Sequence, residues 1–216
     1  MHFEILVEDQ SGKKLLERLL PKIFNDPQHT YKVISYKGIG NIPTGIKATS
    51  DANKRILLDQ LPRLLQGYGN AFKNYSAVII VVCDLDDKCL KAFRTELLAV
   101  LERCDPKPET YFCIAIEEGE AWLLGDIQAV KSAYPKAKDA VLKEYINDSI
   151  CGTWEVLANA VYSGGAEKLK KSGWQARGRE KSIWAETITP HLQLESNKSP
   201  SFNYFVAKLK ELGDNA

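Results

Sequence analysis

The stretch Ala77-Val78-Ile79-Ile80-Val81-Val82-Cys83 constrains this chain more than any other. It is seven apolar residues without a polar interruption, stopped at once by Asp84-Leu85-Asp86-Asp87. A strand with one wet face alternates apolar and polar residues, whereas an unbroken run needs cover on both faces. A parallel sheet with helices on each side supplies that cover, and the flanking sequence is patterned to provide it.

Phe3–Val7 reads as a first strand, ended by Glu8-Asp9. Ser11 is an N-cap for a helix with Leu15, Leu16, Leu19, Leu20 and Ile23 on its apolar stripe, and the chain turns near Asn25-Asp26-Pro27. Tyr31–Tyr36 alternates as a second strand, and Gly38, Gly40 and Gly45 mark a loop. A helix from about Asp51 to Tyr68 carries Ile56, Leu57, Leu61, Leu64 and Leu65, with Pro62 as a kink. After the third strand, a helix over about 90–103 presents Phe93, Leu97, Leu98 and Leu101 before Pro106 and Pro108. A fourth strand, Tyr111–Ile116, runs into Glu117-Glu118-Gly119-Glu120, and Ala121–Leu124 opens another helix. Strands alternating with helices imply right-handed crossovers. The fold class is α/β, a mainly parallel sheet flanked by helices over residues 1–126, with a helical, mildly basic region over 127–216.

Several function classes drop out. No apolar run approaches the ~18 residues of a membrane span, and the N-terminus, with Glu4 inside its apolar stretch, lacks a secretory pattern. A cytoplasmic protein without a membrane partner is expected. Cys83, Cys89, Cys104, Cys113 and Cys151 form no C-x-x-C pair, and His2, His29 and His191 have no close His or Cys neighbour. Reduced thiols fit this better than a disulfide framework or a zinc site. The formal net charge is +1. Residues 1–126 hold 16 Lys/Arg against 18 Asp/Glu, and residues 127–216 hold 13 against 10, so acidic chemistry belongs to the first part and a basic surface to the second.

In an open parallel sheet, ligands bind outside the carboxyl ends of the strands. Three strands deliver acids there: Glu8 after the first, Asp84 and Asp86 after the third, Glu118 and Glu120 after the fourth. Alternation along an extended segment puts Asp84 and Asp86 on one side. Gathered carboxylates repel unless a cation sits among them, and Mg²⁺ or Mn²⁺ prefers oxygen ligands. Such an ion stabilises hydrolysis of a phosphodiester. The bland alternative for each acid alone is a helix cap or turn punctuation.

Between Ser163 and Lys181, Lys168, Lys170, Lys171, Arg177, Arg179 and Lys181 stand against Glu167 and Glu180. Glycines loosen this segment and Trp174 offers a stacking face, a combination suited to a phosphate backbone and a base. The alternative is a solvated loop with Trp174 packed on the core. Lys37, at the end of the second strand, is a further candidate for a substrate phosphate. Trp122 reads as core packing that fixes Glu118–Glu120, His191 as structural, and Ser199-Pro200-Ser201 as the cap of a last helix with Phe205, Leu209 and Leu212 inward. No Ser-His-Asp set, P-loop or dinucleotide fingerprint is present.

Glu8 followed by Asp84-x-Asp86 resembles the Toprim domain of topoisomerases, bacterial primases and OLD-family nucleases. More specifically, Glu118-Gly119-Glu120-Ala121-Trp122-Leu123-Leu124-Gly125-Asp126 resembles the signature of the DUF4276 family, a Toprim-like group, and Thr189-Pro190-His191-Leu192 and Lys198-Ser199-Pro200-Ser201-Phe202 are similar to its closing motif. One departure is Asp9, where Toprim sequences place glycine. The resemblance implies a Mg²⁺-dependent nuclease in which Asp84 and Asp86 hold metal, Glu8 ligates metal or relays a proton, and Glu118 and Glu120 complete a second metal position. It further implies a bacterial anti-phage setting with an AAA- or ABC-type ATPase partner. Two other outcomes follow from the same resemblance: a catalytically lapsed binding subunit of an ATPase complex, and a small RNA-processing Toprim ribonuclease.

Overall fold

The computed structural model describes residues 1–24, 28–43 and 54–214. Strands β1 (His2–Val7), β2 (Thr30–Ser35), β3 (Ala77–Asp84) and β4 (Thr110–Ala115) form one sheet in the order β2-β1-β3-β4, every neighbouring pair parallel. Helix α1 (Gln10–Ile23) joins β1 to β2, α2 (Leu57–Ala71) precedes β3, and α3 (Leu90–Leu101) joins β3 to β4.

The unbroken apolar run behaves as its composition demands. Val78, Ile80 and Val82 enter one core with Leu16 and Leu19 of α1, while Ile79, Val81 and Cys83 enter a second with Leu61 of α2 and Leu97 of α3. Both faces of β3 are dry, so truncating one of these side chains to alanine costs about 2–5 kcal/mol.

The remaining helices are α4 (Glu120–Leu124), α5 (Ile127–Ala133), α6 (Asp139–Glu144), α7 (Thr153–Val161), α8 (Gly165–Lys171), α9 (Trp174–Ile188) and α10 (Pro200–Asp214), with a 3-10 turn at Thr189–His191. Leu157 of α7, Trp184 and Ile188 of α9, and Phe202, Phe205 and Leu209 of α10 share the first core with Phe3, Ile5 and Val7 of β1. Residues 127–214 therefore close the same face of the sheet on which α1 lies. Ser199 caps α10 by accepting from the Phe202 amide at 3.2 Å, and Pro200 occupies the first turn, where no amide hydrogen is needed. Trp122 is buried, stacks on Phe205 with ring centroids 4.9 Å apart, and donates from Nε1 to Ser201 Oγ at 3.0 Å. No helix of the described residues is long and apolar enough to cross a membrane.

Three local expectations change. Asp9, not Ser11, caps α1: its carboxylate accepts from the Gly12 amide at 2.7 Å and from Ser11 Oγ at 2.6 Å. The helix starts two residues earlier than a Ser11 cap would place it, leaving Ser11 inside it. Helix α2 begins at Leu57 and runs through Pro62 to Ala71. Residues 51–53, Gly45 and the Asn25-Asp26-Pro27 turn lie outside the described residues. The glycine-rich basic segment is helical in α8 and α9, with the break confined to Ser172 and Gly173, where Gly173 has φ +87°.

Candidate functional site

The chain leaves β1 to build β2 on one side and returns to place β3 on the other, so the order of winding reverses between β1 and β3. The crevice at the carboxyl ends of such neighbours is where an open α/β sheet receives ligands. Glu8 and Asp84 are the residues at those two ends. Glu8 Oε2 accepts from the Asp84 amide at 3.2 Å, and both side chains line one small cavity of about 30 Å³ with Glu120 and Lys181. Gly12 lets α1 start close against this rim, since a Cβ there would lie 2.6 Å from Val7 Cγ2.

Burial pushes the Glu8 carboxyl up to about 7, against the Asp84 amide bond and with added repulsion from Asp86 and Asp9. Asp84 is likewise raised well above the usual carboxylate range, by burial first and by the charge of Glu8 second, while Lys181 opposes the rise. From the far side, α4 contributes buried Glu120 and the turn before it contributes Glu118. Lys181 Nζ of α9 lies 3.1 Å from Glu120 Oε2 and 3.2 Å from Glu118 Oε1. Glu118 is raised to about 7 by burial, with Lys181 opposing and Glu120 reinforcing. Burial alone lowers the Lys181 pKa, but Glu120, Glu118 and Asp84 outweigh it and hold the ammonium charged well above the usual lysine range. Lys181, read from sequence as part of a solvent-facing phosphate track, is instead the counter-charge of the acids.

Asp86 lies past the end of the strand and does not line the cavity. The strand ends at Asp84, Leu85 turns inward, and Asp86 adopts φ +52° with its carboxylate 3.2 Å from Lys88 Nζ. Strand geometry ends before Asp86, so the Asp-x-Asp spacing does not by itself set the direction of its side chain. Asp86 acts on Glu8 only through its charge. Its amide donates to the Glu117 carbonyl at 2.9 Å, and Glu117 itself has φ +60°. Two adjoining acids in the left-handed region store strain at the rim, as functional sites often do.

Glu117 was not singled out from sequence, and its role is structural. Its carboxylate accepts from the amides of Cys151, Gly152 and Thr153 at 3.0, 2.8 and 2.9 Å and from Thr153 Oγ1, stitching the end of β4 to the start of α7. Burial raises its pKa, but the Thr153 hydroxyl and these amides outweigh that and hold the carboxyl below its usual range. The Trp154 amide then donates to Glu118 Oε2 at 3.3 Å, so the same helix start orients a site acid. The position of Lys181 had one legible signal: it lies four and seven residues before the buried Ala185 and Ile188, on the inward face of α9.

Among the described residues no three carboxylate, imidazole or thiol groups stand as a ready-made metal cage. The donor set fits a hard cation in other respects. It is all carboxylate oxygen, it sits at the switch point, and Glu8, Asp84 and Glu118 hold protons more tightly than free acids, a state that an added positive charge relieves. Glu8 and Asp84 are the acids that would hold such an ion, because Glu118 and Glu120 are paired with Lys181.

The other basic candidates lie outside the cavity. Lys168, Lys170 and Lys171 sit on exposed positions in the last turn of α8, where the helix dipole favours cations. Lys170 pairs with Glu155 and Glu167 at 3.5 and 3.4 Å. Arg179 is exposed, and Arg177 lies over the Trp154 ring at 5.5 Å from its centroid. Trp174 is 73% exposed, so it does not pack on the core. Lys37 is exposed just beyond β2 and does not line the cavity.

The model of a family described as "Domain of unknown function (DUF4276)" matches residues 7–210. No curated protein and no solved structure matches the chain.

Proposed function

We propose that this chain, which belongs to the DUF4276 family of unknown function, is a Toprim-like, metal-dependent hydrolase of nucleic-acid phosphodiesters. The observation that carries this reading is the meeting of Glu8 and Asp84 at the winding reversal, in one cavity with Glu120 and Lys181. Asp84 and Glu8 would hold Mg²⁺ or Mn²⁺, which when bound supplies positive charge against the phosphodiester and its leaving oxygen. Where Glu8 leaves the ion to Asp84, its buried carboxylate takes a proton from the attacking water. The water oxygen bonds to phosphorus as one P–O ester bond breaks, and the leaving oxygen takes up a proton, that from Glu8 or one from solvent, giving a phosphomonoester and a hydroxyl. Lys181 offsets charge on the phosphoryl oxygens from a site largely closed to solvent.

The test is a panel of single- and double-stranded DNA and RNA incubated with and without Mg²⁺ or Mn²⁺, comparing wild type with Asp84→Asn. Cleavage that needs the ion and disappears in the variant supports the reading. Equal cleavage by both proteins removes it.

A second reading is a binding subunit that has lost turnover. It is favoured by the prior claim of Lys181 on Glu118 and Glu120, which leaves fewer acids for an ion. Such a protein takes up no Mn²⁺ in a calorimetric titration. The anti-phage setting and the ATPase partner rest on resemblance alone, and co-purification with an ATPase encoded nearby tests them.

A further inference from the structure

Helix α9 does two things at once: its inward side carries Lys181 into the acidic cavity, and its first turn carries Trp174 into solvent. Seven residues separate the two, so they share a helix face and stand about 10 Å apart along the axis. That is about three nucleotides at the stacked rise of 3.4 Å. Arg177 lies on the same face, between them.

The tryptophans differ sharply. Trp122, Trp154 and Trp184 are all buried, at 1%, 7% and 0% exposure, against 73% for Trp174. Around Trp174 the surface is cationic. Lys168 and Lys171, at the end of α8 just before Trp174, are exposed and form no ion pair among the described residues, whereas exposed Arg179 stands on the other side of α9. Arg177 and Lys170 both lie over the Trp154 ring, at 5.5 and 5.8 Å, and the enclosed Arg177 Nε has no hydrogen-bond partner. Trp154, whose ring lies under these two cations, also donates its backbone amide to Glu118.

We infer that this face of α9 is a track for unpaired nucleic acid, on which Trp174 stacks a base and Arg177 with the neighbouring cations holds the phosphates of a single strand led toward Lys181. The inference deepens the proposed hydrolysis and rests on it for its purpose. An indole face stacks on a base only where that base is free of the duplex stack. The cavity is also a narrow recess, with Glu120 buried and Lys181 and Glu118 only 16% and 20% exposed as side chains, so a slim strand suits it and a duplex does not.

Binding is measured in EDTA, so that no hydrolysis intrudes, by the quenching of tryptophan emission with 12-mers of thymidylate and of uridylate and with a blunt 12-base-pair DNA duplex. At least one single-stranded probe is expected to quench, with the duplex at least tenfold weaker. Trp174→Ala, which lacks the reporter indole and is therefore followed by the anisotropy of the same 12-mers carrying fluorescein, should bind about tenfold more weakly than wild type in that assay. Arg177→Gln should reduce the slope of log affinity against log salt by about one. Trp174 is exposed, so its variant keeps the fold, and an unchanged melting temperature verifies that. Duplex binding as tight as either single strand, or a Trp174→Ala protein that binds like wild type, overturns the track. Strand binding without ion-dependent cleavage leaves the track standing and removes the hydrolysis. Ion-dependent cleavage of duplex by wild type and Trp174→Ala alike does the reverse.

Discussion

The side chain of Glu8 accepts a hydrogen bond from the backbone amide of Asp84, at 3.2 Å, across 76 residues of sequence. One strand end thus fixes the other, and the two acids cannot be altered independently. Removing either changes the charge, the desolvation and the proton affinity of its neighbour.

Glu8 gives the clearest dependence on pH. Its pKa is raised from the ordinary value to about 7, so the folded protein binds more protons than the unfolded chain between about pH 4.5 and 7. Stability therefore falls as pH rises through that window and levels off above it. Glu8→Gln removes this dependence at one site. Thermal melts in EDTA should show a shallower decline from pH 5 to 8 and a melting temperature about 3 °C above wild type at pH 8. Superimposable wild-type and variant curves would contradict the burial argument.

Mn²⁺ affinity should rise with pH, because an ion must displace the protons that Glu8 and Asp84 hold too tightly. Calorimetry is expected to give about tenfold tighter binding at pH 8 than at pH 6, and none for Asp84→Asn. A constant affinity across this range would place the ion on other groups.

Lys181→Met leaves Glu118 and Glu120 facing each other without their cation. Breaking a largely buried ion pair from one side costs about 3–5 kcal/mol. Urea unfolding should show the larger loss at pH 8 and a smaller one at pH 5, where the acids can take up protons. The Lys181 contribution persists across the neutral range, since its folded pKa lies above that of a free lysine. An equal loss at both pH values would mean that packing of the lysine stem dominates.

Glu117→Gln weakens the seam between β4 and α7. Its carboxyl is held below the usual range, so its stabilising effect is present above about pH 4.5 and fades as pH falls through the lowered value. The substitution is expected to cost about 1–2 kcal/mol at pH 7. Hydrogen exchange should locate the loss at the Cys151, Gly152 and Thr153 amides. Protection of these amides unchanged from wild type would show that Glu117 does not hold this helix.

The sheet was legible because β3 and β4 carry unbroken apolar runs and because the helices between the strands repeat at helical spacing. The rim acids were legible because each follows a strand. What escaped the sequence was backbone shape and distant pairing. The strand stops at Asp84 and Asp86 takes a left-handed conformation, and no residue type announces either. Lys181 lies 61 residues beyond Glu120, embedded among other cations, so its charge pointed outward until the packing of α9 on α1 fixed its direction. Asp9 and Ser11 are both capping residues, and only the register of α1 chooses between them.

Because α9 supplies both Lys181 and much of the apolar cover over β1 and β3, the order of synthesis has a chemical consequence. Strands emerging from a ribosome carry their acids long before the helix that seats them. The buried acid cluster with its counter-charge is therefore complete only after residue 181 has been made and α9 has packed on the sheet.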